Sequence, residues 1–381
     1  MAKLAVLVGN GLSVACEPEL SVENLTKRLA KALERRAVTQ NAAVGAVLRE
    51  FATRLQGSGN GFEDVVGSLQ AASDALPFLS HLAALDLNLA HDEAKARENL
   101  RGATEFCATL QNAALSIVLG EIAHLAHAGE VAKSPAHIVR KFCQALKEFP
   151  SEQITIATLN YDGILHSGLL KEFSVRDVCD AARGDRSNSF DINDTKCKAY
   201  AVRDDHDIPS KRRVCLLNLH GSLGWLRNRN REVWKFDLGD LRTAEYWTSL
   251  AKGSAPGFPV VVLTNQKKAA VEAHPFKLLY TMFQRRLERA SHWLIVGCSL
   301  QDEPVRKVLR DAWKMRSKQE TYVYVIDKGE RHQKKEWGRT LKNILGSKPK
   351  HLKVNLGGVE GATKGATGKT PLAKWFQSVI R

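Results

Sequence analysis

Leu4-Ala5-Val6-Leu7-Val8-Gly9-Asn10-Gly11-Leu12-Ser13 is the stretch on which the reading of the fold turns. The apolar run Leu4–Val8 reads as a strand, and Gly9-Asn10-Gly11 ends it in a glycine turn. From Ser21 to about Pro150 the signals become helical: Leu25, Leu29, Ala32 and Leu33 fall on one face, and Ala/Leu/Glu/Arg-rich stretches run through Ala94–Ala126 and Ala136–Phe149. Gly57-Ser58-Gly59-Asn60-Gly61 reads as a loop, after which Phe62-Glu63-Asp64 opens a helix with two acids where the dipole favours them.

After Pro150 strands and helices alternate. Ile154–Ala157, Val214–Leu219, Pro259–Leu263, Trp293–Val296, Tyr322–Ile326 and Leu352–Leu356 read as strands. Helices between them place Phe276, Leu279, Phe283 and Leu287 on one face, and Val305, Val308, Leu309 and Ala312 on another. Alternation of this kind predicts an α/β fold: a doubly wound, Rossmann-like parallel sheet flanked by helices, carrying a large helical insertion. Residues 1–16 and 151–381 are expected to form the sheet domain and residues 17–150 the helical insertion or cap. The polar stretch Arg183–Pro209 has little periodicity and reads as an insertion or loop.

Composition narrows the function classes. The 381 residues are 44% hydrophobic, 25% charged and 7% aromatic, which excludes wholesale disorder and coiled coil. No uninterrupted apolar run approaches the roughly 18 residues of a membrane helix, so no membrane association is expected. The seven cysteines are odd in number and no two lie within three residues of each other, against a disulfide framework or zinc ribbon and in keeping with the cytoplasm. Lys3 and the apolar Leu4–Val8 have a trace of an export signal, but Gly9-Asn10-Gly11 cuts the stretch short. The net charge of +15 comes mostly from Lys267–Lys353, where 21 Lys/Arg face 9 Asp/Glu. That surface suits nucleic acid, an acidic partner or an anionic ligand, although it lacks interleaved aromatics and reads equally as a solvated basic face.

Ligands of an open parallel sheet bind beyond the carboxyl ends of its strands, so the residues following each strand carry most weight. Gly9, Asn10, Gly11 and Ser13 form a glycine turn that suits a phosphate or is a plain tight turn; Val14 stands where a full dinucleotide fingerprint has its third glycine. Thr158-Leu159-Asn160-Tyr161-Asp162 places an amide and a carboxylate at the next strand end, with Asp162 equally suited to cap the following helix. His220-Gly221-Ser222 ends another buried strand, where His220 is a candidate proton acceptor or a satisfied structural histidine. Gly297-Cys298-Ser299-Leu300-Gln301-Asp302 brings backbone and hydroxyl to a strand end, and Asp302 doubles as a helix cap before Pro304. Gly368-Lys369-Thr370 has the ending of a phosphate loop, but Thr363 occupies the required first glycine, and Gly361–Thr370 reads as a mobile loop before a helix at Leu372–Ile380. The twelve histidines show no HExxH spacing and no Cys/His cluster, so no metal site is expected.

These four motifs in this order resemble the sirtuin-like NAD-binding domain, in its bacterial branch of defence-associated NADases. The resemblance covers roughly Leu4–Ser13 and Glu152–Ile326. Gly9–Ser13 is similar to the first glycine loop, which implies NAD phosphate binding, and Thr158–Asp162 to the T-x-N-Y-D segment, whose Asn is catalytic. His220-Gly221-Ser222 resembles the catalytic histidine segment, Gly297–Asp302 the late G-x-S-L-x-D motif near the adenosine half, and Phe62-Glu63 a short F-E segment of these NADases. The resemblance therefore implies Asn160, His220 and Asp162 as catalytic residues, and Gly9, Asn10, Gly11, Ser13, Thr158, Gly297, Ser299 and Asp302 as NAD-binding residues. The two cysteine pairs of the deacylases' zinc ribbon and their proline-phenylalanine-arginine segment are absent from the sequence, so no zinc is expected and acyl-lysine binding is disfavoured.

What the resemblance implies is an NAD glycohydrolase giving nicotinamide and ADP-ribose, depleting cellular NAD in antiphage defence, with NAD as substrate. It also implies a homo-oligomer and a HerA-type hexameric ATPase partner, with nucleic acid reached through that partner or the basic face. Two alternatives stand beside it: a sirtuin-type deacylase or ADP-ribosyltransferase, and a non-enzymatic NAD- or nucleic-acid-binding scaffold.

Overall fold

The computed structural model of the chain describes residues 3–38, 42–57, 61–64, 66–68, 75, 93–131, 135–150, 153–204, 212–263, 267–316, 319–366 and 368–378. Seven strands form one parallel sheet: β1 (Leu4–Val8), β2 (Ile154–Thr158), β3 (Val178–Cys179), β6 (Val214–Asn218), β10 (His292–Val296), β11 (Tyr322–Ile326) and β12 (His351–Asn355), in the order β12-β11-β10-β1-β2-β6-β3. β1 lies at the centre, its Val8 in register with Val296 of β10 on one side and Thr158 of β2 on the other. β1, β2 and β10 are buried along their whole length, as strands covered on both faces must be.

The pleat divides the side chains between two cores. Leu4, Val6, Val8, Ile156 and Leu294 face helices α1 (Gly11–Cys16), α2 (Val22–Val38), α4 (Glu93–Val131) and α5 (Pro135–Lys147), while α3 (Ala42–Gly57) packs on α2. Ala5, Leu7, Ala157, Leu217 and Ile295 face α10 (Phe276–Arg289), α11 (Glu303–Met315) and α12 (Gln333–Leu345). The apolar stripes Phe276/Leu279/Phe283/Leu287 and Val305/Val308/Leu309/Ala312 are buried in this second core, as their helical spacing predicts. The result is a helix–sheet–helix sandwich, and the doubly wound reading of the sequence holds.

Two sequence readings are corrected. Arg183–Pro209 is not a plain loop: Ala182–Ile192 (β4) and Thr195–Val202 (β5) form a hairpin, turned by Asn193 and Asp194 at φ 45° and 61°. Residues 205–209 of that stretch lie outside the described residues, as do residues 58–60, where a loop was expected, and residues 379–380, where the last helix was expected to end. The second correction concerns Pro259–Leu263, which does not extend the parallel sheet. Phe258–Val261 (β9) pairs antiparallel with β7 (Gly221–Arg227) in a separate five-stranded sheet, β4-β5-β8-β7-β9, where β8 is Val233–Phe236. Cys197, Ala199 and Ala201 of β5 alternate inward between Lys196, Lys198 and Tyr200, so a period of two was present; the polar, exposed β4 offered none.

Glu98–His127 within α4 is long and apolar enough to cross a membrane by length and composition, a property hidden from a count of uninterrupted runs. Half of that span is buried in the protein, and Leu115, Val118, Leu119 and Ile122 belong to the first core. It is packed as a core helix. In the stretch Gly361–Thr370, Gly358–Thr363 is a short helix with Thr363 buried in it, and Pro371–Ser378 forms the last helix described.

The chain leaves β1 towards β2 on one side and later crosses to β10 on the other, so a switch point opens at the carboxyl ends of β1 and β10. There Gly9 N–H donates to Val296 O and Gly11 N–H to Gly297 O, each at 2.9 Å. A Cβ on Gly11 would stand 2.6 Å from Gly297 Cα, and Gly297 itself adopts φ +54°. Overpacking and left-handed strain of this kind cost about 1–3 kcal/mol each. Gly11→Ala and Gly297→Ala should each lower the urea unfolding free energy by that order; unchanged midpoints would remove the close contact as a structural requirement.

Candidate active site

Four neighbouring strands, β10, β1, β2 and β6, end at the same edge of the sheet, and the four motifs follow them directly. Parallel register does the positioning, since Val296, Val8, Thr158 and Asn218 stand side by side at the strand ends. The loops after them are therefore brought together although 137 residues separate Leu159 from Val296 in sequence.

The first group joins the loops after β1 and β2. Asn160 Nδ2 donates to Gly9 O at 3.0 Å and to Ser13 Oγ at 2.8 Å, and the Ser13 hydroxyl donates to Asp162 Oδ2. Asp162 Oδ1 accepts from Ile164 N at 2.9 Å, so the carboxylate both supports the network and satisfies the first amide of helix α6 (Ile164–Glu172). Thr158 turns inward, its Oγ1 accepting from Asn160 N at 3.1 Å, which shapes the bend that presents the amide. With both donors of Asn160 committed, its Oδ1 is left buried without a hydrogen-bond partner. Such an atom costs free energy unless a bound group or water uses it.

The second group lies beyond β6. His220 is 5% exposed, and the Gly221 that follows stands at φ +87°, where a Cβ would come 1.9 Å from Val260 O. Val262 N–H donates to His220 O at 3.0 Å, anchoring the imidazole's backbone to the end of β9. Its Nε2 lies 3.2 Å from Asp302 Oδ2, and Lys267 Nζ lies 2.8 Å from the same oxygen. Burial would raise the Asp302 carboxyl, but the adjacent His220 and Lys267 outweigh it and hold the group well below the ordinary carboxylate range. Asp302 Oδ1 accepts from Val305 N at 3.0 Å, so this carboxylate also caps α11.

Tyr161 bridges the two groups. Its ring stacks on His220 with centroids 6.5 Å apart, and its hydroxyl lies 2.9 Å from Glu63 Oε1 and 2.8 Å from Val262 O. Burial first, and the Glu63 carboxylate second, push the phenol well above its usual pKa, so it stays protonated and acts as a donor. A cleft of about 60 Å³ opens between Asn10, Asn160 and Asp162 on the sheet side and Leu25 and Phe62 on the helical side.

The expected residues thus fall into distinct places. Gly9, Ser13, Thr158, Asn160 and Asp162 form one network. Asn10 turns its Nδ2 to Leu20 O at 3.2 Å, holding the segment ahead of α2 over the cleft. The Gly9 and Gly11 amides are spent on the carbonyls of Val296, the last residue of β10, and Gly297, the first after it, so these glycines serve the approach of the two loops. Ser299 is exposed at the surface of its loop, next to Leu300, which is held at φ 55° in the left-handed region. Cys298 is buried there with its thiol pushed up to about 11 by burial, which makes it a packing residue and not a nucleophile. Sequence reasoning missed Lys267, Tyr161 and Val262. Tyr161 was visible inside its motif, but Lys267 sits in a lysine-rich stretch where nothing local distinguishes it. Among the described residues no group of three or more His, Cys, Asp or Glu is arranged to hold a metal ion.

Residues 154–345, about half of the chain, match the family model of the SIR2-like domain. The chain belongs to the SIR2-like domain family. A SIR2-like domain is built to use NAD, and the matched segment contains β2, β6, β10 and their loops, with Asn160, His220 and Asp302. The glycine turn after β1 lies outside it but docks on Gly297 within it. No curated protein matches the chain.

The depressed Asp302 carboxyl has a consequence for stability. A group whose pKa falls on folding contributes stability wherever its unfolded form is ionised, above about pH 4, and loses it as pH drops through the folded value. Below about pH 4, unfolding free energy should therefore fall more steeply in the wild-type protein than in Asp302→Asn, measured by urea titrations across the acid range. Parallel acid limbs would mean that Asp302 gains nothing from His220 and Lys267.

Proposed function

We propose that this SIR2-like protein is an NAD glycohydrolase that cleaves NAD to nicotinamide and ADP-ribose. The observation that carries the reading is the pairing, at adjoining strand ends, of a buried Asn160 whose Oδ1 lacks a partner with a buried His220 backed by a carboxylate. Hydrolysis at the anomeric carbon needs a hydrogen-bonding group to orient the ribose or water, and a base to take a proton. An amide locked through both its N–H groups offers the first, since its acceptor oxygen is fixed in direction. The imidazole offers the second.

In the proposed reaction the C1′–N bond breaks with its electron pair returning to the nicotinamide ring nitrogen. Water oxygen bonds to C1′, and the water proton passes to His220. Thr158 would shape the Asn160 turn, Ser13 and Asp162 would hold it in place, and the loops of Gly9, Asn10, Gly11, Gly297 and Ser299 would receive the rest of the dinucleotide. On the resemblance described above, the proposal extends to a cytoplasmic antiphage role, a homo-oligomer and a hexameric ATPase partner of the HerA type, with nucleic acid engaged through that partner or the basic face. The helical residues 17–150 are proposed as a cap over the site.

Purified protein incubated with NAD, alone and with the product of a neighbouring ATPase gene, should release nicotinamide and ADP-ribose without any acylated peptide. Asn160→Ala and His220→Ala should each reduce the rate by about 10²-fold or more, the range of positioned acid–base groups. Full activity in both variants would refute the residue assignment; strict dependence on an acyl-peptide would favour a deacylase, and salt-sensitive DNA binding without turnover a scaffold.

A further inference from the structure

Lys267, Asp302 and His220 come from three separate segments: the start of helix α9 (Lys267–Val271), the cap of α11 and the end of β6. They meet in a row, Lys267 Nζ at 2.8 Å and His220 Nε2 at 3.2 Å from one carboxylate oxygen, Asp302 Oδ2. Asp302 is 9% exposed and His220 5%, so the contact is made out of bulk water. A buried carboxylate between two basic groups is costly to assemble and is retained where its geometry matters. Neither Asp302 Oδ2 nor His220 Nε2 has an aligned hydrogen-bond partner, so the row is held by charge and proximity.

We infer that Asp302 and Lys267 are positioning residues for His220, and that Asp302 does not serve as an NAD contact; this rests on the glycohydrolase reading above. A carboxylate facing Nε2 selects the imidazole tautomer with hydrogen on Nε2, which leaves the lone pair on Nδ1 to accept the proton of water or a ribose hydroxyl. The ammonium has a separate task. Lys267 Nζ meets the same oxygen at 2.8 Å, so Asp302 Oδ2 is held by the ammonium in the place from which it faces His220 Nε2. Despite burial, His220 and Lys267 hold the Asp302 carboxyl below its ordinary range, in keeping with a carboxylate that positions the imidazole. The same carboxylate's other oxygen caps α11, and this fixes the rotamer that points Oδ2 at His220.

That division of the two oxygens sets the test. Asp302→Asn keeps a capping oxygen for Val305 N, since Asn caps as well as Asp, and deletes only the charge. It should fold normally and lower kcat about tenfold or more with KM changed less than threefold, while in a His220→Ala background it should have no further effect. Equal losses in both backgrounds, or a loss confined to KM, would overturn the assignment and return Asp302 to substrate binding. Lys267→Met should likewise act on kcat and be silent once Asp302 is Asn; a pure KM effect would make the lysine a substrate ligand. A readout free of NAD keeps the two proposals apart. In long-range ¹H–¹⁵N spectra of the unliganded protein at alkaline pH, His220 should show the Nε2–H tautomer, and Asp302→Asn should lose that preference. An unchanged tautomer would sink the positioning role even if turnover is confirmed. The expected tautomer without NAD cleavage would preserve it and discard the glycohydrolase.

Discussion

The contact between two glycine backbones at the switch point is the constraint on which the remaining geometry depends. Gly9 and Gly11 after β1 lie against Gly297 after β10 so closely that no Cβ fits at any of the three. Their amides are bonded to the partner loop's carbonyls, which locks the two loops as one unit. Ser13, at the third position of α1, then reaches across to Asn160 and Asp162. Were the loops a methyl group farther apart, β1 would still pair with β10, but the first turn of α1 would shift and the Asn160 oxygen would lose its fixed direction.

From that unit the site extends along the sheet edge in two independent clusters. One rests on hydrogen bonds among Ser13, Asn160 and the Asp162 carboxylate; the other rests on the ionic contacts of Lys267, Asp302 and His220. Tyr161 lies between them, its backbone O taking Leu223 N–H at 3.1 Å from the antiparallel sheet and its hydroxyl reaching Glu63 of the helical block. A single aromatic residue thus touches the parallel sheet, the second sheet and the helical block. The same ring is stacked on the His220 imidazole.

Histidines in this chain also illustrate how burial sorts function from structure. His292, at the opposite end of β10, is as buried as His220, yet it is enclosed by Phe149, Tyr322 and Trp375 and pushed down to about 4 by burial and Arg316. It is a neutral core residue. His220 differs by facing a carboxylate and lying at the carboxyl edge of the sheet, where chemistry is placed.

Much of the fold was legible because its signals are local. An uninterrupted apolar run such as Leu4–Val8 suits a strand covered on both faces, and the helix stripes of α10 and α11 are periodic over about three and two turns. The glycine, Asn and His motifs were legible for the same reason, each being a short departure from a strand. The second sheet was not, because β4 is exposed and polar from Gly184 to Ser189 and β9 resembles a core strand in composition while pairing elsewhere. Nor could residue order alone reveal that Lys267 serves Asp302, that Asp302 faces His220, or that the turn glycines spend their amides on a neighbouring loop. Periodicity and turn chemistry are written along the chain; which charges share an oxygen, and which backbones meet, is decided only when parallel register brings distant strand ends into line.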